Sequence, residues 1–98
     1  MIRYRIRITH AALEQMDRAA AWWREHRDKA PDAFDDDTDE AIRVLQDNPF
    51  IGQTVSLSKP TRRFWLDRIR FYIYYRVEDD IIVILAVWHG SRGSHPPI

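Results

Sequence analysis

Two strand-length apolar runs separated by three acidic residues constrain this chain more than any other feature. Residues 71–77 (FYIYYRV) are aromatic and β-branched, residues 81–88 (IIVILAVW) are aliphatic, and Glu78-Asp79-Asp80 lies between them. Runs of that composition joined by a short polar link pair as an antiparallel hairpin. A third, shorter run at residues 63–66 precedes them, and Gly90 and Gly93 break the pattern before the tail His95-Pro96-Pro97-Ile98. The spacing therefore predicts three consecutive C-terminal strands.

The N-terminal half reads differently. Ile2, Tyr4, Ile6 and Ile8 alternate with Arg3, Arg5 and Arg7, which is the period of a strand with one apolar and one cationic face. Thr9 suits a helix cap. From residue 10 to about 27 the period becomes helical, with Leu13, Met16, Ala20 and Trp23 on one stripe. Trp22 cannot share the direction of Trp23, so it is expected to be partly exposed or packed on a neighbouring element. A second helix is expected to start around Pro31, with Asp32, Asp35 and Asp36 at the positive end of its dipole. Its buried stripe is Phe34, Ala41, Ile42 and Leu45, and Asn48-Pro49 ends it. Residues 49–61 read as a loop with a short extended piece near residues 55–57.

The order strand, helix, helix, then three strands defines an α+β fold. A mostly antiparallel sheet packs against a helical hairpin, in one domain spanning residues 1–98. An N-terminal strand on a sheet edge would offer its arginines and open backbone groups to a partner.

Composition narrows the function classes. There is no cysteine, which excludes disulfides and thiolate metal sites. The four histidines (His10, His26, His89, His95) show no ligand spacing, so no metal and no cofactor are expected. The aspartates at 35–37 lie in a helical pattern without the glycine of a calcium loop. No apolar run is long enough for a membrane span, and the N-terminus lacks a signal peptide's continuous apolar region, so the reading is a cytosolic, cytoplasmic protein with no membrane contact. The formal net charge is zero, but it is unevenly spread. Residues 1–57 hold 8 basic and 11 acidic residues, and residues 58–98 hold 7 and 4. Any phosphate-facing surface is expected in the C-terminal part; the alternative is ordinary surface charge.

Four strings carry a family resemblance. They are Asp47-Asn48-Pro49-Phe50-Ile51-Gly52, then Thr61-Arg62-Arg63-Phe64-Trp65-Leu66, then Arg70-Phe71-Tyr72-Ile73-Tyr74-Tyr75-Arg76-Val77, and finally Ile84-Leu85-Ala86-Val87-Trp88-His89-Gly90-Ser91-Arg92. In this order and spacing the chain resembles the RelE/ParE superfamily of type II toxins over nearly its whole length, and its last two strings look closer to ParE. The resemblance implies a toxin silenced by a cognate antitoxin, with which it forms a hetero-oligomer. A ParE-like member would inhibit DNA gyrase. A RelE-like member would instead cut mRNA on the ribosome. A binding module that keeps antitoxin pairing without toxicity is a third reading.

The resemblance also selects residues. For a nuclease, His89 with Arg70 and Arg92 would be the catalytic set, because imidazole titrates near neutral pH and arginine grips phosphate with two parallel hydrogen bonds. For target binding the candidates are Arg62, Arg63 and Arg76. For each arginine the alternative is a solvated strand end or an ion pair with Asp67, Asp79 or Asp80. Lys59 is the only lysine after residue 57, fewer cations than RelE-like cleavage centres offer, and a neutral chain draws less affinity from phosphate neutralisation. The antitoxin-binding candidates are Trp22, Trp65 and Trp88, since exposed tryptophan is common at interface hot spots; core burial is the alternative for each.

Overall fold

Thr9 follows one strand and caps the next helix in the computed structural model, which describes residues 3–55 and 58–98. The elements run β1 (Arg5–Ile8), α1 (His10–His26), α2 (Ala33–Asp47), β2 (Gln53–Val55), β3 (Thr61–Leu66), β4 (Phe71–Glu78) and β5 (Ile81–His89). They build one five-stranded sheet in the order β1-β5-β4-β3-β2. β1 lies on an edge and pairs parallel to β5, from Arg5 opposite Ile81 to Ile8 opposite Ile84; the other pairings are antiparallel. The expected α+β class and helical hairpin are therefore observed, with β2 as an additional short strand. Ile2 and Leu57, expected in extended segments, lie outside the described residues.

Asp79 sits at φ 55° in the tight link between β4 and β5, a conformation aspartate tolerates better than most residues. Arg5 Nη2 donates to Asp80 Oδ1 at 2.9 Å, tying β1 to the start of β5 and holding the Asp80 carboxyl below its ordinary range. A bulge falls where Tyr74 pairs with Ala86 but Tyr75 pairs with Ile84, leaving Leu85 as the extra residue. The bulge lets Leu85 and Ala86 both join a small cluster on the uncovered face with Tyr74 and Val83. Thr9 Oγ1 accepts from the Ala12 N–H at 3.2 Å, satisfying one of the orphan donors of α1.

The helices cover the other face. Phe34, Thr38, Ala41 and Leu45 of α2 are buried against Leu66, Ile73, Tyr75, Ile82, Ile84 and Val87. The Thr38 hydroxyl donates to the Phe34 carbonyl, so its burial leaves no polar group unpaired. On α1 the buried line runs through Ala12, Met16, Ala20 and Trp23, whereas Leu13 is 46% exposed. The expected stripe is corrected here: small alanines face β5 because they let helix and sheet approach closely, and Leu13 is turned off that line. α2 begins at Ala33, with Asp32 as its cap position, so Pro31 stands before the helix rather than in its first turn.

Gly52 and Tyr75 close the far end of the core. The Gly52 N–H donates to the buried Tyr75 hydroxyl at 2.9 Å, and a Cβ at Gly52 would collide with the Tyr75 ring. Burial pushes the Tyr75 phenol up, opposed by the Gly52 N–H and the Arg62 charge. The protonated phenol therefore favours the folded state. Its contribution is complete below the unfolded value of about 10 and is lost as pH rises through the higher folded value. Tyr75→Phe should cost about 1–3 kcal/mol at neutral pH, because the Gly52 N–H loses its acceptor. The variant should also lose less stability than the parent on going to alkaline pH. Urea unfolding of both proteins at a series of pH values measures the two effects together.

Candidate cationic cleft

β1 ends opposite Ile84, so among the described residues the outer edge of β5 beyond that point has no strand partner. α1 runs past this open edge, and the Gln15 Oε1 accepts from the Val87 N–H at 2.8 Å. Beyond that contact the helix and the sheet part to form a cleft of about 490 Å³. Its walls carry Arg18, Trp22 and Trp23 from α1 with the C-cap residue Arg27, Trp88 and His89 from β5, and Arg68, Arg70 and Arg92 from the flanking turns. A neutral chain has thus gathered five arginines around one hollow with no carboxylate in its lining.

The arginines are held in different ways. Arg68 makes a two-bond pair with Asp37, and that hydrogen bonding, with the charge of Asp37, raises the guanidinium above its ordinary value. Arg70 reaches Asp67 at 3.3 Å in an exposed pair worth little in water. Arg27 lies over the Trp22 ring at 4.9 Å, and Arg92 over Trp88 at 3.9 Å. Stacking of this kind orders a guanidinium while leaving its N–H edge available for an anion.

Arg70 has a second peculiarity. Its φ of 63° lies in the left-handed region, which is uncommon for a long side chain and costs of order 1–3 kcal/mol. The Arg70 N–H donates to the Leu66 carbonyl, and the Arg70 carbonyl accepts from the Gly90 N–H, each at 2.8 Å, so the backbone is pinned on both sides. Glycine would relieve this strain but would carry no charge into the cleft.

His89 stands edge-on to Phe71 at 5.1 Å. Its Nδ1 accepts from the Ser91 N–H at 3.1 Å and lies 2.6 Å from the Ser91 hydroxyl. With Nδ1 accepting, the neutral ring carries its hydrogen on Nε2. That nitrogen is then a donor to an anionic oxygen and not a free base.

The cleft brings together Arg70, His89 and Arg92, and it includes Trp22 and Trp88. It does not include the other candidates. Trp65 points to the opposite face, packs against Gly90 and Tyr72, and donates its Nε1–H to Asp67. Arg62 donates to the Phe50 and Gly52 carbonyls, and it shares with Arg76 a hollow near β2. Arg76 is partly buried, its Nε has no hydrogen-bond partner among the described residues, and Glu78 is 3.9 Å away. The expected set Arg62, Arg63 and Arg76 is thus divided, with only Arg63 near Arg92. Of the acidic partners anticipated, Asp67 pairs with Arg70, while Asp80 is taken by Arg5. Arg18, Arg27 and Arg68 were missed from the sequence. The helical spacing of Gln15, Arg18 and Trp22 was readable, but what that flank faces was not.

The family model described as "ParE toxin of type II toxin-antitoxin system, parDE" matches residues 6–93. The chain belongs to the ParE toxin family. Among solved structures, a chain described as "Chromosomal ParDE TA system from P. aeruginosa" superposes with a TM-score of 0.73. It is 23% identical, and the alignment covers 88% of this chain and 95% of that one, a likeness of fold. No curated protein matches the chain. ParE membership makes this a type II toxin and implies an antitoxin partner. Among the described residues, no helix of this ParE-family protein is long and apolar enough to cross a membrane. Nor, among them, does any group of three or more acidic or histidine side chains offer a metal site.

Proposed function

We propose that this ParE-family toxin inhibits DNA gyrase by binding, and that its antitoxin neutralises it by laying an acidic, partly apolar segment into the cationic cleft. The observation that carries the binding reading is the cleft lining: five arginines, three tryptophans and a histidine with no carboxylate. Cleavage of RNA requires removal of the ribose 2′-hydroxyl proton. No carboxylate lines the cleft to take it, and the neutral form of His89 presents a donor at Nε2. The same lining suits an antitoxin segment that orders on binding, because tryptophan supplies apolar area and arginine meets its acidic side chains.

Purified toxin is expected to block supercoiling of relaxed plasmid by gyrase, and added antitoxin to restore it. Unimpaired supercoiling at a large molar excess of toxin would sink the proposal. A second reading, a ribosome-dependent mRNA endonuclease, is favoured by the gathering of Arg70, His89 and Arg92 in one cleft. His89→Ala separates the two. It should leave gyrase inhibition within a few-fold, whereas loss of a general acid–base catalyst would lower mRNA cleavage by roughly 10²–10⁴. Primer extension on translated message provides the second measurement.

A further inference from the structure

A smaller hollow opens beside the cleft, where the C-terminal tail crosses the ends of β3, β4 and β5. It measures about 170 Å³ and is lined by Arg63, Tyr72, Tyr74, Trp88, His89, Arg92 and His95, with Gly90, Gly93 and Ser94. It too has no carboxylate in its lining. Among the described residues neither Arg63 nor Arg92 makes an ion pair. Arg63 instead lies over the Tyr72 ring at 4.2 Å and donates to the Gln53 side chain, while Arg92 lies over Trp88.

The hydrogen bonds around this hollow tie its lining side chains to one another and to the tail. The Tyr74 hydroxyl, on a residue only 1% exposed, accepts from Arg63 Nη1 at 3.4 Å and lies 2.9 Å from His95 Nδ1. Two guanidiniums and two imidazole rings therefore line the space, with no anionic side chain among them. The Trp88 Nε1–H donates to the Ser94 carbonyl and holds the tail in place, so the wall is formed before any ligand arrives.

We infer that this hollow binds the phosphate group of a single nucleic-acid strand. Four features select that ligand. The donors match a tetrahedral oxyanion, and stacked arginine is suited to phosphate. The volume is below the roughly 300–1,000 Å³ of whole-ligand pockets, so it takes one group of a larger molecule. Trp88, His89 and Arg92 also line the large cleft, so a chain of phosphates can continue from Arg63 and Arg92 toward Arg70, Arg18 and Arg27. The nearby rings are already covered by guanidiniums, so they order the arginines and the site reads backbone charge without base preference. The inference rests on this geometry alone and is independent of the gyrase reading. It implies that an antitoxin in the cleft would exclude the strand.

The test uses the full chain free of antitoxin, titrated separately with inorganic phosphate, thymidine monophosphate, oligothymidylate and a glutamate-rich peptide, and followed by amide NMR. Saturable shifts are expected at Gly90, Arg92, Gly93, Ser94 and His95 with each phosphate ligand. Oligothymidylate should bind most tightly and should weaken as salt rises. R63Q and R92Q should each weaken it about tenfold, with melting temperatures near that of the parent. R43Q, in an exposed α2 pair with Glu40, is the control and should bind normally. Three results would overturn the inference: no shifts with phosphate, oligothymidylate no tighter than the mononucleotide, or the glutamate peptide binding as well as the oligonucleotide.

Discussion

Phe34→Ala is expected to destabilise the toxin by about 3–5 kcal/mol, the usual cost of truncating a fully buried phenylalanine. Phe34 is 1% exposed and meets Phe71 edge-to-face at 5.1 Å. A small domain commonly has only about 5–15 kcal/mol in total, so the variant should be close to unfolding. Its melting temperature should fall by roughly 15–30 °C, measured by circular dichroism with and without saturating antitoxin. Antitoxin should recover part of the loss, since a ligand that binds only the folded state stabilises it by mass action. The effect should also reach the cleft, because Phe71 continues the aromatic contact to His89. A loss below about 1 kcal/mol would mean that neighbouring side chains collapse into the space, and that Phe34 is no keystone of the wall.

Trp88→Ala carries the second large effect, on antitoxin binding. Trp88 holds Arg92 over its ring, donates to the Ser94 carbonyl, and lines both the cleft and the smaller hollow. Its loss frees the guanidinium and the tail together as well as removing apolar area. A hot-spot tryptophan costs about 2–4 kcal/mol on truncation, so affinity should drop roughly 30- to 1,000-fold in calorimetry with the cognate antitoxin. Trp65→Phe is the useful comparison. Trp65 lies outside the cleft and packs on Gly90, so its conservative replacement should change affinity by no more than a few-fold. Equal affinity of Trp88→Ala and parent, with the fold intact, would remove the antitoxin from this cleft.

Much of the architecture was legible before any coordinate. The acidic link 78–80 announced the β4–β5 hairpin, and Thr9 announced the start of α1. Periodicity was less reliable where size misled it: Leu13 outranked Ala12 by hydrophobicity, but close packing of helix on sheet selects the smaller side chain. Arg70, His89, Arg92, Trp22 and Trp88 were singled out through family strings and tryptophan density, and they do share a cleft. Arg76 was singled out on the same grounds, yet the strand's alternation puts it beside Val83 on the face away from the helices, near Glu78 and outside the cleft.

Local pattern alone determined the order of the elements, their approximate ends and the two kinds of face on β1, because periodicity and turn chemistry act between residues a few positions apart. Tertiary structure decided the rest. The parallel pairing of β1 with β5, the open edge beyond Ile84, and the meeting of Arg18 and Arg27 with Arg70 and Arg92 join residues 43 or more positions apart. No short-range signal encodes such a meeting. It arises only when burying the apolar faces of sheet and helices forces their charged flanks to the same side.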